Sequence, residues 1–329
     1  MGNDESSKTY SHRGEDYFTV ARYVQYRYAE RELIKLLNSI PFVILKGSAA
    51  AIYYPIPSSR SFGDIDFIVP PSDFDKAKRL LESNGYTKYS RPQDDDRHCG
   101  YQKEGYTFEL HKRFSYDDLD IEKYVLAGIE NRVLGRIGEY SFPMLPPLPN
   151  GLVLLAHMRS HLKSGLGLRQ VIDWMMYVDK VLDDKFWYSS FKPAVDEVGL
   201  TTLAVTTTAL CQKYLGLKER AWVRGVDEEV VDQLLESLLS SGNFGVKHGK
   251  GNNVETVTSA MRRNGVFYYL QLAGEHNWKA YHRHHFLRPF CWLYQIFRYV
   301  KQGVHRGKRL KEDMKRGNTR YELMKKLKI

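Results

Sequence analysis

Ser61-Phe-Gly-Asp-Ile-Asp-Phe-Ile-Val69 is the stretch on which the fold of this chain turns. Side chains alternate faces along a strand, so Asp64 and Asp66 share one face, about 6.6 Å apart along the chain, while Ile65, Phe67 and Val69 share the other. The apolar face reads as core. Two carboxylates on one face of an otherwise apolar strand repel each other and resist desolvation, and a multivalent cation removes that conflict. Upstream, Pro41-Phe-Val-Ile-Leu45 is a short apolar run of the kind that forms a buried strand. It ends at Lys46-Gly47-Ser48, and Ala49-Ala-Ala-Ile-Tyr-Tyr54 then has the length of a short helix stopped by Pro55 and Pro57. Downstream, Tyr106-Thr-Phe-Glu-Leu-His111 alternates again, with Phe108 and Leu110 on one face and Thr107, Glu109 and His111 on the other.

Working outward, residues 14–39 carry Phe18, Val20, Ala21, Val24, Tyr28, Leu33, Leu36 and Leu37 at roughly helical spacing. Ser72 to Asn84 reads as a helix with a capping box, Ser72 with Asp75, and Gly85 at the position beyond its end. His98–Lys103 and Tyr106–Phe114 flank Glu104-Gly105 as the arms of a hairpin do. The order helix, strand, short helix, strand, helix, strand, strand predicts an α/β (α+β) fold class, with a small mixed-sheet catalytic domain over 1–120. Pro143-Met-Leu-Pro-Pro-Leu-Pro149 predicts a proline-rich connector within 121–150. Helical periodicity then dominates 151–302, interrupted by a glycine-rich loop at 242–253, and 303–329 forms a basic C-terminal tail.

Charge sharpens this division. The net charge is +10, yet residues 298–329 alone hold twelve Lys or Arg against Glu312, Asp313 and Glu322. The body of the chain is therefore close to neutral, which argues against a nucleic-acid-binding surface spread over the whole protein, and the tail is where an anionic partner would act. Cys99, Cys211 and Cys291 are far apart and odd in number, so neither a disulfide framework nor a zinc cluster is indicated. No apolar run approaches the ~18 residues of a membrane span, and the polar N-terminus lacks the apolar core of a signal peptide, so a cytoplasmic protein is expected.

The three carboxylates Asp64, Asp66 and Glu109 on adjacent strands are what an in-line phosphoryl displacement with two metal ions requires. An all-oxygen set suits Mg²⁺. Gly47-Ser48, between strand and helix, lets backbone N–H groups and a hydroxyl approach phosphate oxygens, with Lys46 and Arg60 adding positive charge.

Leu45-Lys-Gly-Ser48, Arg60, Gly63-Asp-Ile-Asp-Phe-Ile-Val69 and Phe108-Glu-Leu-His111 resemble the motifs of the polymerase-β-type nucleotidyltransferase superfamily, and within it the bacterial proteins grouped as an uncharacterised nucleotidyltransferase family. Gly165-Leu-Gly-Leu-Arg-Gln-Val-Ile-Asp-Trp174 resembles the helical half of the same family. The resemblance implies that Asp64 and Asp66 bind two Mg²⁺ ions, for which Mn²⁺ can substitute. It also implies that Glu109 binds the catalytic ion and helps to deprotonate an acceptor hydroxyl, and that Gly47 and Ser48 hold the triphosphate of ATP or another NTP. The acceptor stays open among a small molecule, a saccharide, a protein hydroxyl and an RNA end.

Other features carry two readings each. Arg169 and Asp173 form an i,i+4 ion pair or, alternatively, Arg169 contacts the nucleotide or acceptor. His157 and His161 have zinc-ligand spacing, but Met158 stands where a metalloprotease needs Glu. His282, His284 and His285 beside Arg283 fit a solvated basic surface, and Gly249-Lys-Gly251 lacks the context of a phosphate-binding loop. Phe286 to Tyr299 is rich in aromatics and Arg, which fits a last core helix, a base-stacking surface or contact with an anionic membrane. Three functions follow: a transferase moving an NMP from an NTP to a hydroxyl, a toxin-like enzyme modifying tRNA ends, and an inactive scaffold that kept the fold.

Overall fold

The computed structural model describes residues 4–89, 97–115, 119–241, 258–259, 261–263, 265–303 and 308–329. It divides into two compact units, 1–156 with 172–201 and 217–222, and 157–171 with 202–216 and 223–329.

The first unit is built on a seven-stranded mixed sheet flanked by helices. In chain order its elements are α1 (Asp4–Leu36), β1 (Val43–Leu45), α2 (Gly47–Ala51), β2 (Ile65–Ile68), α3 (Phe74–Ser83), β3 (Thr87–Tyr89), β4 (His98–Lys103), β5 (Tyr106–His111), α4 (Glu122–Glu130), β6 (Val133–Ile137) and β7 (Tyr140–Met144). Two longer helices, α5 (Pro147–Ser164) and α6 (Leu168–Lys180), follow and contribute to both units. The strand order is β3-β4-β5-β2-β1-β7-β6. β1 runs antiparallel to β2 and parallel to β7, and β2 runs parallel to β5.

The centre of the sheet is buried on both faces. Val43, Ile44 and Leu45 are fully buried, as are Ile65, Phe67 and Ile68, which fits the continuous apolar reading of β1 better than strict alternation. The β4–β5 turn needs two residues with positive φ, and Glu104 (51°) and Gly105 (81°) supply them. α1 lays Tyr26, Ala29 and Leu33 into the core. Each apolar side chain fully withdrawn from water in this way contributes about 1.5–3 kcal/mol.

The structure departs from the sequence expectations in several places. The strand expected over 61–69 is shorter, Ile65–Ile68, and Asp64 sits at the bend before it. The capping box does not form: a 3₁₀ turn, Pro71–Asp73, leads into α3, whose N-terminus receives no side-chain cap. Residues 121–150, expected as a connector, instead hold α4, the β6–β7 hairpin and the start of α5. The prolines have local roles there. Pro143 lies in β7 beside the single β7–β1 pairing, Ile44 with Met144, and its missing N–H cannot extend that ladder. Pro147 and Pro149 fall in the first turn of α5, where a helix does not need their N–H groups.

Residues 172–201 and 217–222 join the first unit through aromatic packing. Trp174, Tyr177, Trp187 and Phe191 are buried, and Trp187 stacks on Trp222 with ring centroids 3.9 Å apart. A Cβ on Gly151 would lie 2.6 Å from both Phe191 and Tyr177, so glycine there is what lets these rings close on α5.

In the second unit the long helices are Thr201–Leu215, Glu228–Ser241, Val266–Asn277, Cys291–Gly303 and Lys308–Lys326. The basic C-terminal segment is not simply a solvated arm: Leu323, Met324 and Leu327 are buried, and Lys326 reaches Glu229 at 3.4 Å on the helix Glu228–Ser241. The aromatic segment is divided. Trp278 stacks on Tyr294, while Phe286, Phe290 and Phe297 are exposed. The expected loop at 242–253, with Gly249-Lys-Gly251, lies outside the described residues. No described helix is long and apolar enough to cross a membrane.

Candidate active site

β2 and β5 are parallel neighbours, and their register sets Asp66 directly beside Glu109. Period-2 alternation along β5 then places His111 on the same face as Glu109. β1 lies on the other side of β2, with Leu45 opposite Asp66, so the next residue, Lys46, extends over the carboxylate. Its Nζ is 2.7 Å from Asp66 Oδ1. His111 Nε2 approaches the same oxygen at 3.0 Å and Glu109 Oε2 at 3.8 Å. Asp66 and His111 are both buried, and Glu109 is largely so.

Burial and crowding set the protonation of the group. Glu109 is pushed up to about 8, first by burial and then by the Asp66 charge; Lys46 opposes the shift, and Asp64 adds to it. Burial would also raise Asp66, but the charge of Lys46 and the hydrogen bond from His111 outweigh it and hold Asp66 well below the usual carboxylate range. Near neutral pH, therefore, Asp66 is ionised and Glu109 holds a proton that it donates toward Asp66. Burial lowers His111 against the pull of Asp66, which favours the neutral ring.

This donor set fits a divalent cation. Asp66, Glu109 and His111 each offer one ligand atom, and these atoms lie within 4.8 Å of one another. Two acids sharing one negative charge at a buried position are what a cation separates: bound there, it would favour ionised Glu109 as well as Asp66.

Asp64 stands just before β2, half-buried, and its backbone carbonyl accepts a hydrogen bond from Tyr26 Oη at 3.4 Å. Its charge reaches Glu109. The three sequence-predicted carboxylates are thus brought together electrostatically, with Asp66 and Glu109 in direct register and Asp64 at the rim.

Lys46 and Gly47 make the tight turn from β1 into α2, with φ of 50° and 22°. A Cβ on Gly47 would lie 2.6 Å from Tyr26 Oη, so the same hydroxyl that touches Asp64 packs against the turn. Ser48 differs from expectation. Its hydroxyl is fully buried, accepts from Arg27 Nη1 at 2.7 Å and donates to Glu30 Oε2 at 2.5 Å. Its side chain is thus turned into the core, away from the expected contact with a phosphate. Tyr140 donates to the same Glu30 oxygen at 2.7 Å. Burial raises Glu30 against the combined pull of Arg27, Ser48 and Tyr140.

Arg60 also differs from expectation. Its guanidinium grips Asp173 through Nε and Nη2, both at 2.8 Å, and the Tyr54 hydroxyl adds a third bond to Asp173 at 2.7 Å. Burial would lower Arg60, but the Asp173 charge raises it above its ordinary value. Arg60 is therefore a clamp between the segment after α2 and α6, a partner for Asp173 that the sequence reading did not pair with it. Arg169 is half-buried on α6 and belongs to the second unit, so no contact with the carboxylates is assigned to it. His157 and His161 pair with each other, Nε2 to Nε2 at 3.0 Å.

Sequence reasoning gave no role to His111, Tyr26, Arg27 or Glu30. The available signal was on α1, where Tyr23, Tyr26, Arg27 and Glu30 recur at helical spacing on the face that also carries the core residue Leu33.

With this geometry established, comparisons with known proteins define the class. Residues 14–216 match the model of the uncharacterised nucleotidyltransferase family, and the chain belongs to that family. Among solved structures it is similar to an antigenic nucleotidyltransferase-like protein from Paracoccidioides brasiliensis. That match has 16% identity and a TM-score of 0.34, and covers 59% of this chain and 94% of the other. No curated protein matches the sequence.

Proposed function

We propose that this chain transfers a nucleoside monophosphate from an NTP to an acceptor hydroxyl and releases pyrophosphate. The observation that carries this reading is the register pairing of Asp66 with Glu109, with Asp64 within electrostatic reach, in a member of a nucleotidyltransferase family. Asp64, Asp66 and Glu109 would hold divalent cations, two Mg²⁺ or Mn²⁺ in their place, which supply Lewis acidity at the hydroxyl and the triphosphate.

The protein's own residues account for the remaining work. The acceptor oxygen forms a bond to the α-phosphorus while the bond from that phosphorus to the α,β-bridging oxygen breaks, and pyrophosphate carries away the electron pair. Glu109, which a cation beside Asp66 would keep ionised, takes the hydroxyl proton. Lys46, next to Asp66 at the turn into α2, receives the triphosphate charge. Arg60 and Asp173, locked together, hold the segment that leads into Asp64 and Asp66.

Incubation with each α-³²P-labelled NTP, Mg²⁺ and a cell extract split into RNA, protein and small-molecule fractions tests this. Label is expected in one fraction with the wild-type protein and in none with Asp66→Asn. Undiminished labelling by Asp66→Asn, or no labelling of any fraction by the wild type, contradicts the proposal.

A further inference from the structure

A site made only of Asp64, Asp66 and Glu109 would offer oxygen alone, the donor that Mg²⁺ prefers. The structure adds a nitrogen. His111 follows Glu109 by two residues on β5, so strand alternation turns both side chains to one face. Cross-strand pairing sets His111 opposite Ile68, two residues beyond Asp66 on β2. The ring is buried and boxed in by His98 across the hairpin, with centroids 5.4 Å apart, and by Phe114 at 5.9 Å. It cannot swing away to solvent without disturbing that packing.

The separations match those within one coordination sphere. Donors at about 2.1 Å from one ion stand about 3.0 Å apart when adjacent and about 4.2 Å apart when opposite. Nε2 lies 3.0 Å from Asp66 Oδ1 and 3.8 Å from Glu109 Oε2.

We infer that His111 is a direct metal ligand through Nε2, completing an Asp66–Glu109–His111 set that prefers Mn²⁺ and other first-row transition ions to Mg²⁺. The inference rests on the metal-site reading above and deepens it by naming the class of ion. Coordination uses the neutral ring with its proton on Nδ1, and Nε2 exchanges its hydrogen bond to Asp66 for a bond to the ion. An imidazole donor adds little affinity for a hard, reluctantly dehydrated Mg²⁺ and more for a softer transition ion.

Pulsed electron paramagnetic resonance on the full chain loaded with Mn²⁺, with and without ATP, tests the inference directly. The expected spectrum contains the hyperfine coupling of a directly bound ¹⁴N. That coupling should change to a ¹⁵N pattern in protein grown with ¹⁵N-histidine and disappear in His111→Gln. In competition titrations the wild type is expected to favour Mn²⁺ over Mg²⁺ by at least roughly tenfold more than His111→Gln does. The isotope-labelled wild-type protein gives the answer even if the variant fails to fold. Bound Mn²⁺ without nitrogen coupling, or a coupling that survives in His111→Gln, overturns the inference and leaves the carboxylate site standing. Failure of Mn²⁺ to bind under either condition overturns both.

Discussion

Asp173 and Asp66 are buried to a similar depth in the same unit, and the protein treats them in opposite ways. Asp173 is closed: the two N–H groups of Arg60 and the hydroxyl of Tyr54 match its charge and occupy its oxygens. Asp66 is crowded: it shares Lys46 and His111 with a second acid, Glu109, whose proton affinity is raised first by burial and then by the Asp66 charge. A buried carboxylate with a complete set of partners holds a fold together. Two that must share a proton are costly for folding, and that cost is relieved by a divalent ion.

Mutating each acid separates the two cases most sharply. Asp66→Asn is expected to lower NMP transfer by about 10³-fold or more while the protein stays folded, read from labelled-NTP turnover beside circular dichroism. Asp173→Ala is expected to do the reverse. It leaves the Arg60 guanidinium buried and unpaired and costs about 3–5 kcal/mol of stability in urea unfolding. Replacing both partners, as in Arg60→Met with Asp173→Leu, should recover most of that loss. A severe stability loss in Asp66→Asn, or none in Asp173→Ala, would erase the distinction.

The pH dependence of stability differs as well. Glu109 titrates at about 8 in the folded chain against the usual 4.5, so the folded state keeps a proton that the unfolded state has lost. The stability from that proton is complete below about pH 4.5 and is lost as the pH rises through about 8. Without divalent ions, unfolding free energy should fall across this window by a few kcal/mol relative to Glu109→Gln. Added Mn²⁺ or Mg²⁺ should reverse the trend. A slope unchanged in Glu109→Gln would assign the titration to another group.

The smallest expected effect concerns the turn beside the crowded acids. In Gly47→Ala the new methyl meets Tyr26 Oη at a positive φ, costing about 1–2 kcal/mol. Tyr26→Phe in the same chain removes the closest atom and should return part of that loss, measured by thermal unfolding.

The crowded site was more legible in the sequence than the closed one. Asp66 and Glu109 stand on strands where local alternation put them, because a carboxylate between apolar neighbours is visible within a few residues, whereas Asp64 falls at the bend before its strand. The β1 and β5 runs and the hairpin turn are local signals of the same kind. Arg60 with Asp173 is not local: 113 positions separate the partners, and the nearer Arg169 offered a simpler i,i+4 pairing. Ser48 shows the same limit, since its hydroxyl answers to Arg27 and Glu30 on α1, which no spacing near Gly47 reveals. The prolines from 143 to 149 misled because proline breaks elements only in their interiors. Beside a one-pair ladder, and in a first helical turn, it is accommodated.

The central claim is that Asp66 and Glu109 are set side by side to bind a divalent ion. Anomalous scattering from crystals of the full chain soaked in Mn²⁺ tests it most directly. The account predicts a manganese peak within bonding distance of carboxylate oxygens from both residues, with Lys46 Nζ drawn off Asp66 Oδ1. Manganese sites elsewhere only, with the Lys46–Asp66 contact still closed, would contradict it.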